Sequence, residues 1–263
     1  MNSGEDVEVN LEEAERLLRE SADGEADLAA LPELFPYLGS ARRVPEVAES
    51  VPDGLACRML SAVARDREMW VLGGSVPELE GDRVFNTSPL FDRSGELVAR
   101  YRKIHLFDVE IPDQPPFRES ATYAPGNEVV THETEFSRIG LSICYDLRFP
   151  ELYRGLMAVG VEVMLVPAQF QRTTGKDHWE VLLRARAIEN QCFVVAPAQW
   201  GEFGDGSRRS YGHSAVVDPW GRMLVEAPEE GSGVWFADLD FGELRRVRRT
   251  LPALQHRRLG FFC

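Results

Sequence analysis

The sequence predicts an α/β protein built on a largely interior sheet, and two patterns carry that expectation. Short apolar runs, each stopped by Gly, Pro or Asp, recur along the chain, and segments with helical apolar spacing follow several of them. No Gly/Ser/Pro-rich linker, low-complexity tract or internal repeat divides the 263 residues, so a single domain over 1–263 is the simplest organisation. Taken in order, Leu11, Ala14, Leu17 and Leu18 mark one face of a first helix, and 28–31 reads as a strand. Ala56, Met59, Leu60, Val63 and Ala64 recur at i, i+3, i+4, i+7 and i+8, predicting a second helix ahead of a strand at 69–72. Runs at 139–143, 161–166, 192–196 and 214–217 read as buried strands, and 151–159 and 178–190 read as helices between them. Segments 84–101 and 214–238 are interrupted by Asp92-Arg93-Ser94-Gly95 and Asp218-Pro219-Trp220-Gly221, which predicts hairpins.

Composition narrows the function. With 44% hydrophobic residues the chain can bury a core. Twenty-nine Lys and Arg against 43 Asp and Glu give a net charge of -14, which repels a phosphate backbone and disfavours a nucleic-acid partner. The apolar stretches, such as 161–168, fall far short of the roughly 20 residues that cross a bilayer, and the chain opens on a polar, acidic segment; no membrane partner and a cytoplasmic location are expected. Cys57, Cys144, Cys192 and Cys263 are scattered and form no Cys-x-x-Cys pair, so free thiols are expected and no zinc site.

Three reactive side chains each fall just past an apolar strand: Glu33, Lys103 and Cys144. Strand carboxyl ends are where ligand crevices form in open α/β sheets. A thiolate that attacks, a carboxylate that moves protons and an ammonium that holds an oxyanion would together suit acyl transfer. On spacing alone a second reading stays open, in which Cys144 is a small buried hydrophobe and the other two are surface charges.

The wording around them is more specific. Leu31-Pro32-Glu33-Leu34-Phe35, Tyr101-Arg102-Lys103-Ile104-His105-Leu106 and Cys144-Tyr145-Asp146-Leu147-Arg148-Phe149-Pro150-Glu151 resemble, in order, the three signature segments of the nitrilase superfamily, the carbon-nitrogen hydrolases. The similarity continues through His178-Trp179-Glu180, Arg184, Arg186 and Asn190 to Tyr211-Gly212-His213-Ser214 and Asp218-Pro219-Trp220-Gly221, nearly the whole chain. The resemblance implies an αββα sandwich and a Glu-Lys-Cys amidase. Glu33 would be general base and then acid, Cys144 the nucleophile that forms a thioester, and Lys103 with the Tyr145 backbone N–H the oxyanion hole. Glu119 resembles the family's second glutamate, which would orient Lys103 and keep it charged. No metal or other cofactor enters that mechanism. Family members commonly form homo-oligomers, which implies a homodimer or larger assembly, with the tail from about 241 at a subunit interface.

The substrate expectation rests on pocket residues. Arg148 would offer its fork to a substrate carboxylate or else pair with Asp146 or Glu151. Phe170, Arg172, Thr173 and Thr174 would line the mouth. Asp108-Val109-Glu110-Ile111-Pro112, 179–189 and Leu254-Gln255-His256-Arg257-Arg258 are similar to the Nit branch of the family, and Thr173-Thr174-Gly175 to its ω-amidase wording. This implies a carboxylate-bearing α-keto acid amide, either deaminated glutathione or α-ketoglutaramate; an N-carbamoyl amino acid is the alternative substrate and a catalytically silent interaction protein the non-enzyme alternative. His178 and Trp179 are expected at a helix start, with Trp179 packed inside. Asp146, Glu151, Arg184 and Arg186 are expected to form ion pairs that hold the nucleophile loop, Cys57 and Cys192 to be core residues, and Cys263 a terminal bystander. Arg245, Arg246, Arg248 and Arg249 read as the solvated or partner-facing side of a C-terminal helix. One departure from the family pattern stands out: the segment matching Asn2-Ser3-Gly4-Glu5-Asp6-Val7 is normally preceded by an apolar strand, so the first sheet strand is expected to be missing, with a start codon assigned too late as the favoured explanation.

Overall fold

The computed structural model describes residues 1–111, 116–203, 206 and 208–259; Pro112 and Cys263 lie outside them. One sheet has β1 (Leu28–Ala30), β2 (Trp70–Leu72), β4 (Arg83–Phe91) and β3 (Val76–Glu80) in that order, with β5 (Leu97–Arg102) also paired to β4. The other runs β15 (Met223–Glu226), β14 (Ala215–Val217), β11 (Phe193–Ala196), β10 (Val163–Leu165), β9 (Arg138–Leu141) and β8 (Thr131–Glu133). Strands β9, β10 and β11 are parallel, as are β1 and β2, so their carboxyl ends gather on one rim. Two short hairpins, β6 (Asp108–Val109) with β7 (Phe117–Arg118) and β12 (Trp200–Phe203) with β13 (Arg208–Tyr211), stand off the sheets near that rim.

Strand alternation explains the layering. Trp70 and Leu72 share a core with Ile139, Leu141, Val163, Leu165 and Val194, so the two sheets face each other. Val71, on the opposite face of β2, packs with Ala29 and Phe91 under Ala14, Leu17 and Leu18 of α1 (Val7–Asp23) and Leu60 and Val63 of α3 (Leu55–Arg67). Outside the second sheet, α4 (Pro150–Ala158) buries Leu152, Tyr153 and Leu156, and α5 (Arg172–Asn190) buries Trp179, Leu183 and Ala187. The result is the αββα sandwich. The Asp6 side chain accepts from the Val9 N–H and fixes the start of α1, a cap worth about 1 kcal/mol.

Two expectations are revised and one strand is added. Helix α5 begins at Arg172, ahead of 178, because Gly175 does not interrupt it: a Cβ there would lie 2.4 Å from the Tyr211 ring, so the glycine permits a close approach within the helix. Strand β3 was hidden by Pro77 and by Glu78, a buried acid that accepts from Thr87, Arg100 and Arg102. In the C-terminal helix α6 (Phe241–Thr250), Arg248 turns inward and donates to the carbonyls of Gln191 and Val161, both at 3.0 Å, anchoring the helix to the second sheet. The short α2 (Val44–Val47) packs near β3.

A cleft of about 420 Å³ lies between the sheets where β1 approaches β11 and β14, lined by Leu28, Ala30, Ala196, Ala215 and Phe236 among others. It does not contain the reactive residues, which sit at the strand ends beyond it. β1 is bonded on one side, to β2. Residues 1–3 cross between the halves: the Trp200 N–H donates to the Met1 carbonyl, and the Ser3 N–H donates to Gln199 Oε1.

Candidate active site

Each candidate residue is delivered by the end of a strand. Glu33 follows β1 after Leu31 and Pro32, and the chain there lies against Gly74, which has φ +50 and whose added Cβ would meet the Pro32 carbonyl at 2.0 Å. Lys103 follows β5, and its N–H donates to the Asn86 carbonyl at 2.9 Å. Glu119 opens a 3₁₀ turn after β7. Cys144 opens the 3₁₀ turn Cys144–Arg148 after β9 with φ +45, a left-handed conformation that costs a non-glycine residue about 1–3 kcal/mol and that recurs where a side chain must be aimed.

The structure brings these four together. Glu33, Lys103, Glu119 and Cys144 are all buried, with Cys144 the most open at 7%. Lys103 Nζ donates to Glu33 Oε1 at 2.8 Å and to both oxygens of Glu119 at 3.0 and 2.9 Å, which uses all three of its N–H bonds. Glu33 Oε2 accepts from the Gln169 N–H at 2.7 Å, and Glu119 Oε2 from the Phe107 N–H at 2.6 Å. Burial alone would lower the Lys103 pKa, but the Glu119 and Glu33 carboxylates outweigh it and hold the ammonium well above the ordinary lysine range. The Cys144 thiol is pushed well up, first by burial and then by the neighbouring Glu33 carboxylate, with Lys103 pulling the other way. A thiol with a raised pKa beside a carboxylate is an arrangement that can pass a proton as the sulfur attacks.

Two supporting residues escaped the sequence reading or were assigned other partners. Asn86, fully buried in β4, donates to Glu33 Oε1 at 2.9 Å and Glu119 Oε1 at 3.2 Å, bridging the two carboxylates. Its signal was the polar triplet Asn86-Thr87-Ser88 inside a strand whose neighbours are otherwise apolar. Asp146 does not pair with an arginine. It accepts from the Tyr101 hydroxyl at 2.6 Å, the Ile143 N–H at 2.9 Å and the His105 N–H at 3.0 Å, with His105 Nδ1 at 2.7 Å. Tyr101 and His105 flank Lys103 two residues on either side, so Asp146 ties the lysine segment to the nucleophile turn. Arg184 and Arg186 also miss their expected partners: Arg184 pairs with Glu180, and Arg186 pairs with Glu189 and donates to the Leu147 carbonyl.

Of the mouth residues, Arg148 is half-buried and pairs with neither Asp146 nor Glu151. Its guanidinium lies over the Phe170 ring at 4.9 Å and the Tyr145 ring at 5.8 Å, with His178 Nδ1 at 3.2 Å. Burial lowers its pKa from the usual arginine value. Phe170 is buried against Trp179, ring centroids 5.0 Å apart. Arg172 and Thr173 are not brought to the cluster: both are exposed on the first turn of α5, and Arg172 is paired with Glu229. Thr174 is half-buried, its hydroxyl donating to the Gln171 carbonyl. His178 and Trp179 sit inside α5, with Trp179 buried as expected and its indole N–H donating to the His213 carbonyl at 2.8 Å.

Comparison with known proteins bears on what this arrangement does. The carbon-nitrogen hydrolase family profile matches residues 1–249. A protein of Synechocystis sp. named deaminated glutathione amidase is 42% identical over 262 residues, covering 98% of this chain and 95% of that one. The Mus musculus protein named omega-amidase NIT2 is 38% identical over 253 residues, covering 96% and 91%. The crystal structure of Saccharomyces cerevisiae Nit3, described as a member of branch 10 of the nitrilase superfamily, superposes with a TM-score of 0.89 at 32% identity, covering 98% of this chain and 93% of that one.

Proposed function

The chain belongs to the carbon-nitrogen hydrolase family and is an amidase, and on that premise we propose that Cys144 attacks the carbonyl of a small carboxylate-bearing amide. Glu33 takes the thiol proton as sulfur adds to the carbon, and Lys103 with the Tyr145 N–H holds the oxygen of the tetrahedral intermediate. The first N–H groups of a helical turn have no intrahelical acceptor, which leaves the Tyr145 donor for this role. Lys103 meets the new oxyanion by releasing one of its Glu119 bonds; a single such donor contributes about 3–4 kcal/mol to the transition state. Glu33 then gives its proton to the departing amine, leaving a Cys144 thioester. Water, deprotonated by Glu33, hydrolyses it, and the proton returns to sulfur.

One observation carries this reading: a buried ammonium bridges two buried carboxylates beside the most open member of the group, a thiol in a left-handed turn. For the substrate, the support is Arg148 beside that thiol, a cation with no carboxylate partner among the described residues and suited to a substrate carboxylate. Together with the relatives' names, this favours deaminated glutathione or a related α-keto acid amide. The ω-amidase reaction on α-ketoglutaramate is the second reading, supported by the same arginine. The reading includes a homo-oligomer in which the tail from about 241 meets a second copy, and a cytoplasmic location; among the described residues no helix is long and apolar enough to cross a membrane.

The deciding experiment offers the wild-type enzyme deaminated glutathione, α-ketoglutaramate and an N-carbamoyl amino acid, with mass spectrometry of protein quenched during turnover. An acyl adduct on the Cys144 peptide and no turnover by a folded Cys144→Ala variant are expected; hydrolysis persisting in that variant would overturn the thioester. Carbon dioxide release from the N-carbamoyl compound in preference to the others would replace the substrate assignment.

A further inference from the structure

The cations around the mouth fall into two sets. Arg118 is paired with Glu110, Arg172 with Glu229, and Arg209 with Glu229 and Glu230. Arg148 and Arg208 have no carboxylate within 4.0 Å among the described residues; each lies over an aromatic ring instead, Arg208 over Phe117 at 4.4 Å. The rings join the two guanidinium groups: Phe117 contacts Phe107 at 5.8 Å, Phe107 contacts Tyr145 at 4.9 Å, and Tyr145 lies under Arg148. This wall is fixed to the reactive cluster, because the Phe107 N–H holds Glu119 and Tyr145 follows Cys144.

Strand alternation orients Arg208. It shares a face of β13 with Ser210, which accepts from the Gln169 side chain at 2.9 Å, and the Gln169 N–H binds Glu33. Arg209, on the opposite face, turns away to its two glutamates. Consecutive arginines therefore differ: one is neutralised outward, and the other is held by a ring above the mouth with no carboxylate partner among the described residues.

We propose that Arg208 is a specificity-determining residue that binds a second carboxylate, carried on the amine side of the scissile bond. The preferred substrate class is then an amide with an acid group on both its acyl and its amine portions. This rests on the reading that Arg148 holds the acyl-side carboxylate. An amide whose leaving group is ammonia engages Arg148 alone. The apolar ring wall between the guanidinium groups suits the uncharged middle of a peptide-like leaving group, and the guanidinium forks supply paired donors at each end.

The test compares kcat/KM for deaminated glutathione, which carries a carboxylate on each portion, with that for α-ketoglutaramate, which has one on the acyl portion alone. In Arg208→Gln the ratio of the two is expected to fall about tenfold, through KM, as for a partly exposed charge-assisted bond. Arg208→Lys should recover part of the loss, and Arg209→Gln should leave the ratio unchanged. A ratio unaltered by Arg208→Gln, lowered equally by Arg209→Gln, or lowered through kcat would overturn the assignment. Calorimetric titration of deaminated glutathione into Cys144→Ala, with and without Arg208→Gln, separates this proposal from its premise. About tenfold weaker binding supports Arg208 even if the wild type hydrolyses neither compound, which would refute the proposed function alone; equal binding refutes Arg208 while leaving that function standing.

Discussion

Lys103 and Arg148 lie close to the same thiol, and the fold treats the two cations in opposite ways. Lys103 is buried with two carboxylates on its three N–H bonds, and a third residue, Asn86, ties those carboxylates together. Arg148 is half-buried with no carboxylate among the described residues, supported by ring faces and a histidine. A buried charge is costly unless it is paired and hydrogen-bonded, so the first arrangement is complete within the protein, while the second leaves a guanidinium without a carboxylate among the described residues. On the proposed function, the contrast separates the chemical machinery, whose charges are matched internally, from the recognition surface, whose charge the substrate would match.

The largest expected effect comes from unbalancing the matched side. Lys103→Met leaves Glu33 and Glu119 facing each other without a cation, and removing one partner of a buried ion pair costs about 3–5 kcal/mol. Turnover should fall to background, with a lower thermal midpoint. Glu119→Gln is gentler: it keeps the shape and the contact to Lys103 and removes one charge. Here kcat should drop about 10²-fold with little change in KM, the pattern for an interaction made in the transition state. A variant that loses KM alone would move Glu119 out of the catalytic group.

Smaller effects belong to the unmatched side. Arg148→Ala should raise KM about tenfold for a carboxylate-bearing amide and much less for a neutral amide of similar size. Equal losses on both would make Arg148 a structural residue and erase the contrast with Lys103.

Much of the matched side was legible in the sequence, because strand ends and their flanking motifs are local features: Glu33, Lys103 and Cys144 follow apolar runs, the resemblance to the family motifs singled them out and added Glu119, and the structure brings all four together. The buried strands themselves were readable from apolar runs within two residues of their observed ends. What escaped was set by partners distant in the chain. Asn86 acts across the sheet, Asp146 chose Tyr101 and His105 over nearby arginines, and α5 starts at Arg172, ahead of the expected 178, through a Gly175 that meets the Tyr211 ring 36 positions away. Arg172 was assigned to the mouth for the same reason, since Glu229, which takes it, approaches from a loop after β15.

The chain buries ionisable groups in a third way, by keeping them neutral, and this yields the mildest prediction. Cys57 lies in the cluster under α1 and α3, and Cys192 in the core between the sheet and α5; burial pushes each thiol from an ordinary value of 9.0 up to about 12. The unfolded chain releases these protons near pH 9 and the folded chain near pH 12, so the contribution to stability is complete below about 9 and is lost as pH rises toward 12. The thermal midpoint, followed by circular dichroism, should therefore decline across that window. Cys57→Ala removes one of several protons involved, since the Cys144 thiol and the buried Tyr101, Tyr123 and Tyr153 hydroxyls are also held above their ordinary values, and it should flatten the decline in part while lowering the midpoint slightly at neutral pH, where a buried sulfur is lost. A decline of undiminished steepness in that variant would assign the alkaline loss to the other buried groups held above their ordinary values, the Cys144 thiol and the Tyr101, Tyr123 and Tyr153 hydroxyls, and not to Cys57.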